Sequence, residues 1–190
     1  HVVDVSLSTG WFASLFHMMS HAFFEGLGFL LAGGIIHALG TRDMRLMGGL
    51  KKAMPITFAL AIIMIITTSG LPPFASFFSK GLIITSVMES GNLVQVVLIF
   101  VTAALTFAYC VRMFSLVFMG RASEHMLGQR VHEAPWSMVV PAGVLGVLCV
   151  VWGVLQPVVA QFMHIELEHS LLSAFTSVET PIFFGLLFLT

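Results

Sequence analysis

The chain has 190 residues, of which 58% are hydrophobic and 9% charged, and its formal net charge is −1. Because soluble domains carry about 25% charged residues, this composition excludes an ordinary soluble fold and predicts an integral membrane protein whose solvent is the lipid bilayer. The sequence has no basic patch, which argues against nucleic acid as a partner.

The apolar segments, taken in chain order, predict an all-α, polytopic transmembrane helix bundle. Spanning helices need about 20 apolar residues and are joined by short polar loops. Spans are expected at about 11–39, 53–70, 73–89, 93–119 and 136–156, with a truncated sixth at 181–190. Segment 73–89 is short, so it is tilted, re-entrant or half of a broken helix. The polar and apolar alternation between 156 and 180 indicates an interfacial helix or loop.

Both ends of the chain and its basic residues bear on topology. The first residue is His1 rather than an initiating methionine, and the last apolar run is short, so we expect a fragment of a larger membrane protein. One loop is rich in cations, which favours the cytoplasm. If every segment crosses, Arg121 and Arg130 lie on the opposite side, and the orientation stays open. The cations of the loop are Arg42, Arg45, Lys51 and Lys52.

Lys80 lies in an apolar tract after the helix-breaking pair Pro72–Pro73. An ionisable side chain inside a membrane segment is a functional candidate by default. At about 10–14 Å from either end of its segment, it lies too deep to reach the headgroups readily with its stem. Burial disfavours the charged form of an amine, so Lys80 is predicted to relay protons or cations. The hydroxyls of Thr67, Thr68 and Ser69 are expected to satisfy the backbone that the break frees.

His17, His21 and Glu25 recur at intervals of four residues in the first segment. On a helix they share an arc of about 80°, and imidazole and carboxylate groups exchange protons near neutral pH. Two alternatives stay open: a metal-ligand stripe, disfavoured because no fourth ligand is evident, and a structural role in which each histidine bonds a neighbouring helix. Cys110 and Cys149 lie in apolar runs and are expected to be small buried residues rather than a disulfide or metal pair.

Several sequence motifs follow one another between about 17 and 157. They are HMMSHAFF at 17–24, GGIIHAL at 33–39, SGLPPF at 69–74, FFSK at 77–80 and HEAPWSM at 132–138. In content and order these motifs resemble the antiporter-like membrane subunits of the complex I superfamily, most of all the distal subunit (subunit L, or chain 5) of NADH-quinone oxidoreductase. Related subunits occur in F420H2 dehydrogenase, membrane-bound hydrogenase and multi-subunit Na+/H+ antiporters.

This resemblance implies the C-terminal part of an antiporter-like fold with a broken helix. It also implies redox-driven proton translocation in a cell membrane or an inner organelle membrane. Lys80 corresponds to the lysine of the second broken helix, and His17 and His21 to histidines of the central polar axis. The chain would then serve an NADH-quinone or F420H2-quinone type oxidoreductase without a catalytic residue or cofactor of its own. Redox cofactors are expected in partner subunits, other membrane subunits as partners, and protons or Na+ as the only small substrates.

The sequence departs from the family at two positions of the expected relay. Glu25 stands where the family has a lysine, and Gly81 stands where an acidic residue often follows the lysine equivalent to Lys80. The predicted proton relay is therefore Lys80, Glu25, His21 and His17. Two other functions stay open: a component of a multi-subunit Na+/H+ antiporter without a redox partner, and a structural membrane subunit.

Overall fold

The structure, a computed structural model, describes residues 2–72, 74–123 and 131–162. This part of the chain is helical and contains no strand, which confirms the all-α prediction. The expected sixth segment at 181–190, and most of 156–180, lie outside the described residues. The helices are α1 Val2–Leu39, α2 Pro55–Ser69, α3 Ala75–Glu89, α4 Leu93–Phe118, α5 Trp136–Val154 and α6 Gln156–Phe162.

Within the part of the chain that the structure describes, three helices are long and apolar enough to cross a membrane: Gly10–Leu39 within α1, α4 and α5. The helices α2 and α3 have 15 residues each, which corresponds to about 22 Å of helix. A bilayer core is about 30 Å thick, so neither α2 nor α3 spans it alone.

The helices α2 and α3 together form one interrupted crossing that runs antiparallel to α1. Met64 of α2 lies beside Gly28, and farther along, Ser86 of α3 lies beside Gly10. Between these points the Ser79 hydroxyl hydrogen-bonds the His17 ring. The residue numbers of the contacted positions on α1 therefore decrease steadily, from 28 to 17 to 10, as the chain passes from α2 into α3. The two short segments expected at 53–70 and 73–89 are the halves of a single broken helix.

Local sequence explains where the break falls. The helix α2 ends at Gly70, which adopts a left-handed conformation with φ 78° that favours glycine. Its amide and that of Leu71 turn back onto the carbonyls of Thr67 and Ile66 at 3.0 and 3.1 Å. The helix α3 begins after Phe74, whose backbone is extended. The diproline between these points provides no amide hydrogen to continue α2.

The helix α1 is the centre of the bundle and packs against α2, α3 and α5. Lipid is as apolar as the side chains, so close van der Waals packing rather than hydrophobic burial holds such helices together. Glycine permits this close approach: a Cβ on Gly146 of α5 would lie 3.1 Å from the Leu60 side chain of α2. Leu27 of α1 is fully buried in the same cluster.

The loop after α1 and the connector after α4 meet at one end of the bundle, which we call the basic end (described residues 40–54, 119–123 and 131–135). The Gly49 amide donates to the Met119 carbonyl at 3.0 Å, and the Ser123 hydroxyl donates to the Leu46 carbonyl. Arg121 therefore lies on the same side as the basic loop rather than on the opposite side. The reason is that α2 and α3 make one crossing where the sequence allowed two. The exposed cations at this end are Arg42, Arg45, Lys51, Lys52 and Arg121.

Within the basic end, Asp43 organises the loop that follows α1. Its carboxylate accepts hydrogen bonds from the Arg45 amide at 3.0 Å and from the Arg45 side chain at 3.2 Å. These bonds favour the ionised carboxylate and hold the pKa of Asp43 below its usual value, with the backbone amide the largest cause. The pair caps the short 3₁₀ turn Met44–Leu46.

Candidate proton-relay site at the helix break

Lys80, in the second turn of α3, reaches back across the break to the end of α2. Its Nζ donates a hydrogen bond to the Thr68 carbonyl at 2.5 Å. In an uninterrupted helix that carbonyl would accept from the residue four positions later, which is Pro72 and has no N–H. The ammonium group thus takes the place of the missing amide. A cation at this point is also favoured by the partial negative charge at the C-terminal end of α2.

The neighbouring hydroxyls do not satisfy the freed backbone, so the expectation for Thr67, Thr68 and Ser69 is wrong. The Thr67 and Thr68 hydroxyls donate instead to carbonyls one turn earlier in their own helix, at 2.7 and 2.8 Å. This local bond forms readily in a helix because the i−4 carbonyl lies within reach of the side chain. The Ser69 hydroxyl is buried, and the described residues offer it no hydrogen-bond partner.

His17 lies next to the lysine on the facing helix. Its Nδ1 is 2.8 Å from the Ser79 hydroxyl, and the same hydroxyl donates to the Ser76 carbonyl at 3.3 Å. Ser79 directly precedes Lys80. Its contact with His17 therefore brings the His17 ring close enough to Lys80 for the two side chains to interact electrostatically. The structure therefore brings together two of the four predicted relay residues through a serine.

His21 and Glu25 continue the line along α1 but lie nearer the surface of the described bundle. The ring centroids of His17 and His21 are 6.0 Å apart, and His21 Nε2 is 3.9 Å from Glu25 Oε1. Their side chains are 54% and 39% exposed. Because ionisable groups facing hydrocarbon are unfavourable, these two side chains require water or another protein surface beside them in the membrane.

Cys110 of α4 is a further neighbour of the lysine. It is fully buried, as expected, and it lies within Coulombic range of both Lys80 and Glu25. Sequence reasoning assigned it only a packing role because nothing in an apolar run shows which helix its thiol faces. Cys149, also buried, lies beside the Thr67 hydroxyl instead.

The arrangement differs from that of a metal centre. Among the described residues, no three His, Cys, Asp or Glu side chains converge as ligands of one ion. The line from His17 to Glu25 follows one helix face, and its neighbours on α3 are a hydroxyl and an ammonium group. What these groups can do is accept, hold and release protons.

The family model for NADH:quinone oxidoreductase/Mrp antiporter transmembrane segments matches residues 2–106, more than half of the chain. The chain belongs to this family. The matched residues include α1, both halves of the broken helix and the first half of α4, so the family assignment covers the candidate site. The family assignment and the apolar helices together identify the chain as an integral membrane protein with an antiporter-like fold.

The chain is similar to components of bacterial sodium/proton antiporters. It is 38% identical over 151 residues to a Na(+)/H(+) antiporter subunit of Alkalihalophilus pseudofirmus, covering 74% of this chain and 19% of the relative. The corresponding antiporter subunit of Bacillus subtilis is 34% identical over 148 residues, covering 73% of this chain and 18% of the relative. The chain thus spans about a fifth of the length of these curated relatives.

Two solved membrane complexes contain similar chains. One is the membrane-bound sulfane sulfur reductase, an archaeal respiratory membrane complex, with 35% identity and a TM-score of 0.71 over 75% of this chain and 23% of that chain. The other is the Mrp complex of Dietzia sp. DQ12-45-1b, with 16% identity and a TM-score of 0.71 over 93% of this chain and 39% of that chain. The second likeness concerns the fold alone.

The expected role as a proton-pumping subunit of an NADH-quinone or F420H2-quinone oxidoreductase is wrong. The curated relatives are named as subunits of Na+/H+ antiporters, which are transporters rather than redox enzymes. The family model that matches residues 2–106 is named for both NADH:quinone oxidoreductases and Mrp antiporters. The motifs inside that range therefore do not distinguish a redox complex from an antiporter.

Proposed function

We propose that this chain is part of the ion-translocating membrane subunit of a multi-subunit Na+/H+ antiporter, and that Lys80, His17, His21 and Glu25 pass its protons. The main observation in support is the Lys80 ammonium group on the Thr68 carbonyl, inside an interrupted membrane crossing. The names of the curated relatives support antiport as the activity. The partners are the other membrane subunits of the complex, and the transported ions are protons and Na+.

The proton path follows the contacts of the site. Lys80 exchanges protons with the neighbouring His17–Ser79 pair, and His17 passes them along α1 to His21 and Glu25. The imidazole centroids are 6.0 Å apart, which leaves room for a bridging water, and His21 Nε2 lies 3.9 Å from Glu25 Oε1, so a small side-chain movement brings these two atoms into direct contact. No covalent bond other than bonds to hydrogen forms or breaks in this chain.

The hydrogen bond of Lys80 has the energy that coupling requires. Moving one elementary charge through 100 mV takes about 2.3 kcal/mol, so the proton affinity of the lysine must change by that order between two states. A hydrogen bond to a charged group contributes about 1.5–3 kcal/mol. Making and breaking the contact with the Thr68 carbonyl is therefore a change of the right size.

Two substitutions of Lys80 in the complete complex test this function. Lys80→Met removes the amine, and Lys80→Arg keeps a positive charge that does not release its proton. Both are expected to abolish Na+/H+ exchange, measured with a pH-sensitive dye in inverted membrane vesicles, while the complex still assembles. Arg112→Met, which removes an exposed cation near the end of α4, is the matched control and should keep full exchange.

A different pattern would support a structural role. If Lys80→Arg exchanged at the wild-type rate, a fixed positive charge would be sufficient, and the lysine would serve to hold the broken helix together. If Lys80→Met also retained exchange, the proton path would not include this residue. Native gel electrophoresis of the complex separates both results from a failure of assembly.

A further inference from the structure

The described part of the basic end carries more positive than negative charge, and its two carboxylates are already bonded. The Asp43 carboxylate accepts from Arg45, and the Glu133 carboxylate accepts from amides that begin α2. Among the residues that the structure describes, the other four cations of this end form no ion pair. An exposed cluster of like charges attracts anions from its surroundings. The four cations are Arg42, Lys51, Lys52 and Arg121.

A backbone contact between two glycines and the connector after α4 gathers three of these cations. Gly48 has φ 129°, and a Cβ at this position would lie 2.5 Å from the Arg121 carbonyl oxygen. A Cβ on Gly49 would lie 3.2 Å from the amide nitrogen of the residue after Arg121. Lys51 and Lys52 follow in the next turn of the loop. Because glycine permits this close approach, the loop and the connector bring three exposed basic residues into one small area of the surface.

Exposed apolar side chains at the same end indicate that this area lies at the edge of the hydrocarbon. Trp136, the first residue of α5, is 70% exposed, and tryptophan is enriched at the headgroup level of membranes. Met44 and Leu46, in the turn after α1, are each 40% exposed. Apolar side chains next to cations are typical of surfaces that lie in the membrane interface, where the apolar groups contact acyl chains and the cations contact headgroups.

We propose that the basic end binds the headgroups of anionic phospholipids, with Lys51, Lys52 and Arg121 as the main cations. Ammonium and guanidinium groups both bind phosphate, and guanidinium does so through two parallel hydrogen bonds. The positive charge of the area is complementary to anionic headgroups. The exposed Met44 and Leu46 side chains are suited to the acyl chains beneath those headgroups.

Two features favour a lipid over the other anions that a basic surface attracts. A water-soluble anion would contact the cations alone, and the exposed apolar side chains among them would have no role. The effect of basic loops on membrane orientation depends on the number of cations, whereas a headgroup contact needs them gathered as Gly48 and Gly49 gather them. The lipid contact is separate from the proposed proton relay, because it lies beyond the helix ends and includes none of the relay residues.

The test uses the complete complex reconstituted into liposomes of phosphatidylcholine with a minor fraction of phosphatidylglycerol. A fluorophore on Ala122→Cys, an exposed position next to Arg121, is quenched by lipids that carry a nitroxide near the top of the acyl chain. Spin-labelled phosphatidylglycerol should quench it at least about fivefold more effectively than spin-labelled phosphatidylcholine, since each basic residue near an anionic surface contributes about fivefold in association. A fluorophore on Ser90→Cys, at the opposite end, is the matched control and should show no preference for the anionic lipid.

Two triple variants show whether charge is what recognises the lipid. Lys51→Gln, Lys52→Gln and Arg121→Gln together should lower the quenching ratio at position 122 to about one. Lys51→Arg, Lys52→Arg and Arg121→Lys together keep the three charges and should keep the ratio. An unchanged ratio in the glutamine variant would overturn the proposal. If that variant does not assemble, the wild-type ratio is measured at rising NaCl concentration, and a ratio that does not fall with salt would overturn it equally.

The same measurement separates lipid from the other possible occupants of the basic end. Millimolar inorganic phosphate at constant ionic strength should leave the ratio unchanged, and a fall to about one would assign the cations to free phosphate instead. Quenching of the position 122 fluorophore by neither lipid would mean that a protein surface covers the basic end. Equal quenching by both lipids would mean that the basic end meets the membrane without selecting its charge. Each of these three results would overturn the proposal.

Discussion

Glu133 supplies hydrogen-bond acceptors that the first turn of α2 does not find in its own sequence. Its carboxylate accepts from the Ile56 amide at 2.8 Å and from the Thr57 hydroxyl at 2.5 Å. The residue before the helix, Met54, makes no side-chain cap. The free amides and the dipole at a helix start both favour an anion. One carboxylate therefore joins the start of α2 to the connector before α5.

Replacing the Glu133 carboxylate should lower the stability of the basic end. We expect Glu133→Ala to lower the stability of the assembled protein by about 1 kcal/mol, the usual effect of losing a cap. Glu133→Gln should lower it less, because the amide oxygen still accepts one hydrogen bond. The thermal midpoint of the purified complex measures both. Equal losses for the two variants, or a comparable loss in the control His132→Ala, would contradict a capping role.

At the residue scale, chemistry was predictable from the sequence where the residue type itself is unusual. Lys80 stands out because a lysine is rare in an apolar segment. Its acceptor does not, since the Thr68 carbonyl is identical to every other carbonyl until the chain is folded. The expectation for the threonine hydroxyls was wrong for the same reason. Their choice between a freed carbonyl and one in their own helix depends on geometry that residue type does not encode.

Helix packing in this bundle can be examined with an adjacent pair of glycines in α1. A Cβ on Gly34 would lie 2.9 Å from the Ala134 Cβ, whereas a Cβ on Gly33 would meet nothing within 4 Å. The two positions lie at the same depth of the same helix, so any general effect of alanine on helix stability is common to both. They differ in the contact with the segment that leads into α5.

Gly34→Ala should therefore destabilise the bundle where Gly33→Ala does not. Overpacking at position 34 is expected to lower stability by about 1–3 kcal/mol, and Gly33→Ala should be neutral or stabilise by up to about 1 kcal/mol. The difference is measured by heating the purified complexes in detergent and comparing the temperatures at which they unfold. Similar midpoints for the two variants would show that α1 and the 131–135 segment are farther apart than the structure has them.

At the scale of elements, the sequence identified the helices but not how two of them combine. The apolar lengths at 53–70 and 73–89 permit two crossings, one crossing with a break, or a re-entrant segment. Hydropathy measures the length of an apolar run and is blind to the direction of the next one. Which of these arrangements forms depends on the residues of α1 that each segment contacts. Because Met64 of α2 and Ser79 of α3 contact successive positions along α1, the two segments form one crossing with a break.

The single broken crossing decides the arrangement of charge over the whole molecule. The chain has eight lysine and arginine residues, and five of them lie exposed at the basic end. The described part of the opposite end, formed by the start of α1, the Glu89–Asn92 turn and α6, carries neither lysine nor arginine. Basic loops near the ends of spans remain in the cytoplasm. We therefore expect the basic end to be cytoplasmic and the turn after α3 to face the other side.

Labelling of single cysteines in intact cells tests this orientation. Ser90→Cys, in the turn after α3, should react with a membrane-impermeant maleimide added outside, and Lys51→Cys, at the basic end, should react only after permeabilisation. Cys110 and Cys149 are at most 1% exposed, so the protein without an introduced cysteine should react little with the maleimide and serves as the labelling background. Labelling of Lys51→Cys from outside would reverse the orientation. Labelling of both positions from outside would mean that α2 and α3 do not cross the membrane together, and the break around Lys80 would then lie near one surface instead of within the bilayer.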